Sequence, residues 1–195
     1  ITICHLQIKF YIFDLHKRLF YEVYEWAGQS RSINIEKFEQ VLAGLSVQYE
    51  DVSNIKKALE IIHNQYFCKP WISFSFTSLI YELARYISSI WKIHPFREGN
   101  TRTISAYMYF FLKNHGYSLN EKLLKKNAAF LRNALVMASI GEYSEYQYLE
   151  EILSDAVINI SSPQKKASVK TRKYEKIKDV KMENYKYNYH QQKQV

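Results

Sequence analysis

Glycine and proline are scarce in this 195-residue chain, with 5 and 3 copies. So few turn-formers argue against a many-turned β-sandwich and for long helices joined by short loops. Cysteine is rarer still. Cys4 and Cys68 have no metal-ligand spacing and are too few for a disulfide framework, so both read as buried apolar residues. No run reaches the roughly 18 uncharged apolar residues of a membrane span. The apolar opening from Ile1 to Phe13 is broken by His5 and Lys9 and lacks a small-residue cleavage site, which makes it a poor signal peptide. No membrane partner and a reducing cytoplasm are therefore expected. The chain opens on Ile1 rather than Met, so further residues upstream are allowed for.

What is present suits a globular protein: 47% hydrophobic and 24% charged residues, and enough length for one domain with a proper core. The net charge of +8 is lopsided. Residues 161–195 hold 10 Lys and Arg against 3 Asp and Glu, which leaves 17 against 16 in residues 1–160. The reading is a nearly neutral domain over 1–160 and a basic, Tyr- and Lys-rich flexible tail over 161–195. Basic residues alternating with aromatics can bind nucleic acid by phosphate contact and stacking. A solvated tail is the preferred reading, with nucleic acid as the alternative partner.

Apolar spacing predicts a helix over residues 3–26, on a stripe of Leu6, Phe10, Phe13, Leu19 and Val23. Helical patterning returns over 55–65 and over 75–91, the latter on Ile80, Leu83, Ala84, Ile87 and Trp91. Further helices are expected over 101–115, with Gly116 just past its end, over 124–138, and over 146–158. Between the first two helices, Leu45 to Glu50 alternates as a short exposed strand or hairpin does. The fold class expected is all-α, a helical bundle with one small β-hairpin.

The chemistry concentrates between two helices, in His94-Pro95-Phe96-Arg97-Glu98-Gly99-Asn100-Thr101-Arg102. Pro95 disfavours helical geometry at His94, so the preceding helix should end there. Gly99 admits close approach of backbone, and the next helix starts just after it. A helix N-terminus offers unpaired N–H groups and a partial positive charge, which suits an anion. Arg102 adds a bidentate phosphate donor, Glu98 is a hard oxygen ligand of the kind that holds Mg²⁺, and His94 can accept a proton near neutral pH. Taken singly, each residue has a duller role in a loop, at a helix dipole or on a surface. The ordered combination on a loop entering a helix is what points to phosphate chemistry.

This segment resembles the Fic family signature, His-x-Phe-x-(Asp/Glu)-Gly-Asn-Gly-Arg-x-x-Arg, at His94, Phe96, Glu98, Gly99, Asn100 and Arg102. Tyr24-Glu25-Trp26-Ala27-Gly28-Gln29-Ser30-Arg31 also looks like the upstream Y-x-W-A-G-x-x-R element of that family. The resemblance covers residues 5–158 and implies a Fic-fold helical bundle with a small β-hairpin flap. It further implies a protein adenylyltransferase that moves AMP from ATP, the co-substrate, to a Ser, Thr or Tyr hydroxyl of a target protein. His94 would be the general base and Glu98 the ligand of the Mg²⁺ cofactor. Gly99, Asn100, Thr101 and Arg102 would bind the nucleotide phosphates, and Leu45, Ser46, Val47, Gln48 and Tyr49 would form the flap that docks the target.

Two positions depart from the signature. Thr101 replaces its second glycine, and Ser105 stands where it ends in a second Arg. The latter leaves other donors open, with transfer of UMP, GMP, phosphocholine or phosphate as alternatives, beside a catalytically silent binding module. No segment carries the inhibitory Ser/Thr-x-x-x-Glu-Gly/Asn pattern, so an antitoxin-like partner is one candidate restraint. His16 carries no assignment.

Overall fold

The computed structural model describes residues 4–160 together with Tyr174 and Ile177, with side chains from Tyr11 onward. Seven α-helices, one two-stranded sheet and two short 3-10 turns (Gln40–Leu42 and Gly141–Tyr143) make up the regular structure of these residues: α1 (Cys4–Phe20), α2 (Ile55–Phe67), α3 (Phe76–Ile93), α4 (Asn100–Asn114), β1 (Tyr117–Leu119), α5 (Glu121–Lys126), α6 (Ala128–Met137), α7 (Gln147–Ala156) and β2 (Val157–Asn159). The all-α bundle with a small β element is thus the observed architecture.

Helix α3 is the central element and touches α2, α4, α6 and α7. Its start is fixed by Ser75, whose hydroxyl accepts from the Ser78 amide at 3.1 Å. The expected stripe is the buried one: Leu83, Ala84 and Trp91 are fully enclosed, with Ile80 and Ile87 nearly so. Each such large apolar side chain contributes on the order of 1.5–3 kcal/mol by leaving water. Helix α4 likewise buries Ile104, Tyr107, Met108 and Leu112, and stops before Gly116, whose φ of 82° is the left-handed turn that ends a helix.

Local chemistry moves several boundaries. Helix α1 ends at Phe20 and gives way to a run of turns, so Leu19 and Val23 are exposed; the buried face is instead Ile12, Leu15, His16 and Phe20. The expected helix over 124–138 is two helices, broken at Asn127, whose φ of −113° and ψ of 31° leave the helical range while its side chain donates to the Leu123 carbonyl at 2.9 Å. Helix α7 ends at Ala156, and the chain becomes extended at Val157 to pair antiparallel with β1, Tyr117 facing Asn159 and Leu119 facing Val157.

The β element therefore lies away from the expected flap. Residues 45–50 form no strand; Ser46 and Val47 are buried, with Val47 in the hydrophobic core, and the Ser46 hydroxyl is held between the Lys37 amide (3.0 Å) and the Val47 carbonyl (2.8 Å). An alternating pattern alone does not distinguish a ladder from an extended loop anchored by its own side chains. Cys68 is exposed, contrary to its apolar reading. The basic stretch 161–195 lies outside the described residues apart from Tyr174 and Ile177. Tyr174 donates to Asp155 at 2.7 Å and packs its ring 4.6 Å from Phe130.

Candidate active site

Pro95 and the start of α4 make a tight bend between two helices. His94 takes the left-handed conformation, φ 50° and ψ 59°, and caps α3 through its amide, which donates to the Trp91 carbonyl at 3.1 Å. The Asn100 side chain braces the loop from inside: its Oδ1 accepts from the Phe96 amide at 3.0 Å and its Nδ2 donates to the Phe96 carbonyl at 2.7 Å. Phe96 itself is fully buried. Gly99 caps α4 with φ 83° and offers no side chain, so the first-turn amides of α4 have no side-chain cap. A Cβ at Gly99 would lie 2.6 Å from the Phe20 ring, so glycine is required both by conformation and by space.

The imidazole of His94 is 1% exposed. Its Nδ1 lies 3.2 Å from the Trp91 carbonyl oxygen, an acceptor, which puts the proton on Nδ1. Nε2 is then a bare lone pair, and it is a buried atom with no hydrogen-bond partner. Burial drives the pKa of His94 well below the ordinary imidazole value, and the nearby cations Lys37, Arg132 and Arg31 push it further down. The ring is walled by Trp91 at 5.0 Å and Tyr49 at 4.1 Å.

Glu98 lies at the open side of the loop with its side chain 54% exposed. Its Oε1 accepts from the Gly99 amide at 2.9 Å, and Lys37 reaches Oε2 at 3.4 Å. The amide, then Lys37 and Arg102, hold its carboxyl below the usual carboxylate range, so it is ionised at neutral pH. Among the described residues no group of three or more His, Cys, Asp or Glu is placed to hold a metal. A lone hard carboxylate fits Mg²⁺, which keeps waters and takes substrate phosphates as ligands, and does not fit an ion that needs a protein cage.

The loop thus brings His94, Glu98, Gly99, Asn100, Thr101 and Arg102 together, although their side chains face different tasks. Asn100 is engaged inward with Phe96. Thr101 accepts from the Trp91 indole at 3.0 Å, locking α4 to α3. Arg102 is exposed, with its guanidinium 4.6 Å over the Phe20 ring and 3.9 Å from Glu98. Of the flap residues, Tyr49 touches the site. Ser105 turns its hydroxyl back to the Thr101 carbonyl at 2.9 Å and borders a cavity of about 510 Å³ that Thr101, Arg102, Tyr109 and Lys125 also line. A larger cavity, about 950 Å³, lies between α1, α2 and α3 and includes none of residues 94–102.

Three further residues support the site: His16 and Lys37 left no signal in the sequence pattern, and Arg31 was marked only as the end of the upstream element. His16 is fully buried and carries the loop from below. The Gly28 amide donates to its Nδ1 at 2.9 Å, which fixes the proton on Nε2, 3.0 Å from the Glu98 carbonyl. Arg31, the last residue of the upstream element, is 2% exposed and donates to the carbonyls of His94 (2.9 Å), Ile33 (2.7 Å) and Glu50. Lys37, in a loop with no helical or strand signature, joins Glu98 from across the mouth.

This bend, with its signature residues between α3 and α4, decides the family when set beside known proteins. Residues 9–116 match the model of the Fic/DOC family. The chain belongs to that family. Relatives of the Fic/DOC chain include the probable protein adenylyltransferase y4lH of Sinorhizobium fredii, 30% identical over 111 residues that cover 57% of this chain and 55% of that one. Protein adenylyltransferase VbhT of Bartonella schoenbuchensis is 25% identical over 66% of this chain and 24% of its own. The chain therefore spans about half the length of the first and a quarter of the second. Its fold is that of the N-terminal Fic domain of a VirB-translocated Bep effector protein from Bartonella quintana (TM-score 0.63, 21% identity, 77% of this chain and 71% of that one). It also matches BepC of Bartonella tribocorum, whose structure holds AMPPNP (TM-score 0.61, 21% identity, 77% and 74%).

Proposed function

We propose that this Fic domain is a protein adenylyltransferase, moving AMP from ATP to a hydroxyl side chain of a target protein. The observation that carries the reading is the buried, bare Nε2 of His94, held in its tautomer by the Trp91 carbonyl beside an uncapped helix N-terminus. In the proposed reaction Nε2 takes the target's hydroxyl proton as that oxygen attacks the α-phosphorus. The bond to the bridging oxygen breaks and pyrophosphate leaves. The Nδ1 proton stays on the ring and is donated to the Trp91 carbonyl, which orients the resulting imidazolium. A low pKa keeps His94 neutral and ready at pH 7, and the arriving phosphates offset the cations around it, which strengthens the base when the donor is bound.

Glu98, ionised and partly open to solvent, is the proposed carboxylate ligand for Mg²⁺, which when bound would draw charge from the phosphates as it develops. Amides of the first turn of α4 and the Arg102 guanidinium would take phosphate oxygens. Target docking would run along Leu45 to Tyr49, with Gln48 exposed and Tyr49 against the His94 ring. Relatives named protein adenylyltransferases support ATP as donor. The domain is read as ending by residue 160, with 161–195 a basic extension.

The test is peptide and intact-protein mass spectrometry after incubation with Mg²⁺ and each nucleoside triphosphate, alone and with cell lysate, beside a His94→Ala control. An adduct of AMP mass seen with ATP and lost in the control is expected. An adduct from another nucleotide would keep the mechanism and replace the donor. The same adduct in the control would remove His94 from the chemistry.

A further inference from the structure

Lys37 is the feature of the site that the reading above leaves without a task. Its ammonium lies 3.4 Å from Glu98 Oε2, and the pair is half open to water, with the lysine side chain 23% and the carboxylate 54% exposed. An exposed pair of this length adds little to folding, so stability does not account for it. The stem, by contrast, is firmly set. The Lys37 amide donates to the Ser46 hydroxyl at 3.0 Å, and two residues on, the Glu39 amide donates to the Leu45 carbonyl at 3.0 Å. Glu39 is buried and held by Arg132 at 2.6 Å. A flexible four-carbon arm thus springs from an anchored base and reaches over the mouth of the loop.

The charges around that mouth do not balance. Glu98 is approached by two cations, Lys37 and Arg102, and the first-turn amides of α4 add partial positive charge on the same side. Ser105 supplies no charge, since its hydroxyl is bonded within its own helix. A site with more positive than negative charge, at an uncapped helix start and beside a buried unpartnered imidazole nitrogen, is arranged for a polyanion.

Resting on the reading of residues 94–102 as a nucleotide site, we propose that Lys37 is a phosphate-binding residue that exchanges partners. In the free protein its ammonium sits on Glu98; when a nucleoside triphosphate enters, the ammonium moves to a phosphate oxygen and leaves the Glu98 carboxylate free as an oxygen ligand. The exchange keeps the Lys37 ammonium paired throughout, and a triphosphate outcompetes a single carboxylate for one ammonium by its greater charge.

Equilibrium binding of ATP by calorimetry tests this without recourse to catalysis. With Mg²⁺ present, Lys37→Gln is expected to weaken ATP binding about tenfold, as loss of one charge-assisted contact does, while Lys37→Arg keeps it within about threefold. With EDTA in place of Mg²⁺, Glu98→Gln is expected to tighten ATP binding, because it releases Lys37. Adding Lys37→Gln to that variant should abolish the gain. Thermal midpoints confirm that each variant is folded. Wild-type affinity in Lys37→Gln, or a Glu98→Gln gain that survives without Lys37, would overturn the exchange while leaving the nucleotide site intact. No ATP binding by the wild-type chain would overturn the site reading and this inference with it.

Discussion

His16 donates its Nε2 proton to the backbone carbonyl of Glu98, 3.0 Å away and 82 residues along the chain. The ring also accepts from the Gly28 amide and stacks 3.8 Å from Phe96. One imidazole therefore ties α1, the turn after it and the loop of the candidate site into a single rigid unit. His16→Phe keeps the stacking and removes both bonds, leaving a buried donor and acceptor unpaired. A loss of about 2–5 kcal/mol in urea denaturation is expected. Wild-type stability in this variant would show that the two bonds are dispensable.

Gly99 and Phe20 should be coupled. Gly99→Ala brings a Cβ to 2.6 Å from the Phe20 ring and puts alanine at φ 83°. About 2–4 kcal/mol of destabilisation is expected from the clash and the backbone strain together. In a Phe20→Ala background the clash disappears and the strain remains, so the second loss should be clearly smaller. A double-mutant cycle by chemical denaturation measures the difference, and strict additivity would contradict the contact.

Arg31 is not replaceable by lysine. Its fork reaches three carbonyls at once, those of His94, Ile33 and Glu50, from a position 2% exposed to water. A single ammonium cannot reproduce that geometry. Arg31→Lys is expected to cost about 2–4 kcal/mol in thermal or urea unfolding and to lower the activity as the His94 backbone loosens. An active variant of unchanged stability would speak against this bracing role.

The buried imidazoles of His16 and His94 make the protein sensitive to mild acid. The pKa values of His16 and His94 are lowered by burial in the folded state. Below an ordinary imidazole value of about 6.5 the unfolded chain takes up protons that the folded chain refuses. Stability is therefore full above that pH and falls as pH drops through it, by at most about 1.4 kcal/mol per pH unit for each ring. Urea unfolding at pH 7.5, 6.5 and 5.5 reads the slope, and His16→Phe should reduce it. A stability flat across this range would refute the burial argument. If His94 is the base, as proposed, the acid limb of kcat/KM should lie below pH 6.5 for the same reason.

Much of the fold was legible in residue periodicity. The stripe of α3 from Ile80 to Trp91 and that of α4 from Ile104 to Leu112 announced two helices and the bend between them, because each buries one face continuously. Where side chains rather than periodicity decide, the pattern misled. A helix breaks at Asn127, whose backbone leaves the helical range, and Ser46 anchors an extended loop that alternates like a strand. The site was legible where residues are contiguous, from His94 to Arg102. Its supports were less so: Arg31 showed only as the end of the upstream element, and His16 and Lys37 come from segments 60 or more residues away and act through side-chain contacts that leave no periodic trace.

The left-handed backbone of His94, at φ 50°, sets comfort against use. Glycine would occupy that bend with less strain than any residue bearing a Cβ, by about 1 kcal/mol. On stability alone glycine would suit this position better, so a cost in backbone comfort is carried here, and the proposed role of the Nε2 lone pair would account for it. A glycine at position 94 would keep the corner of the bundle and give up the proposed proton acceptor, so stability and activity are expected to move in opposite directions at this one residue.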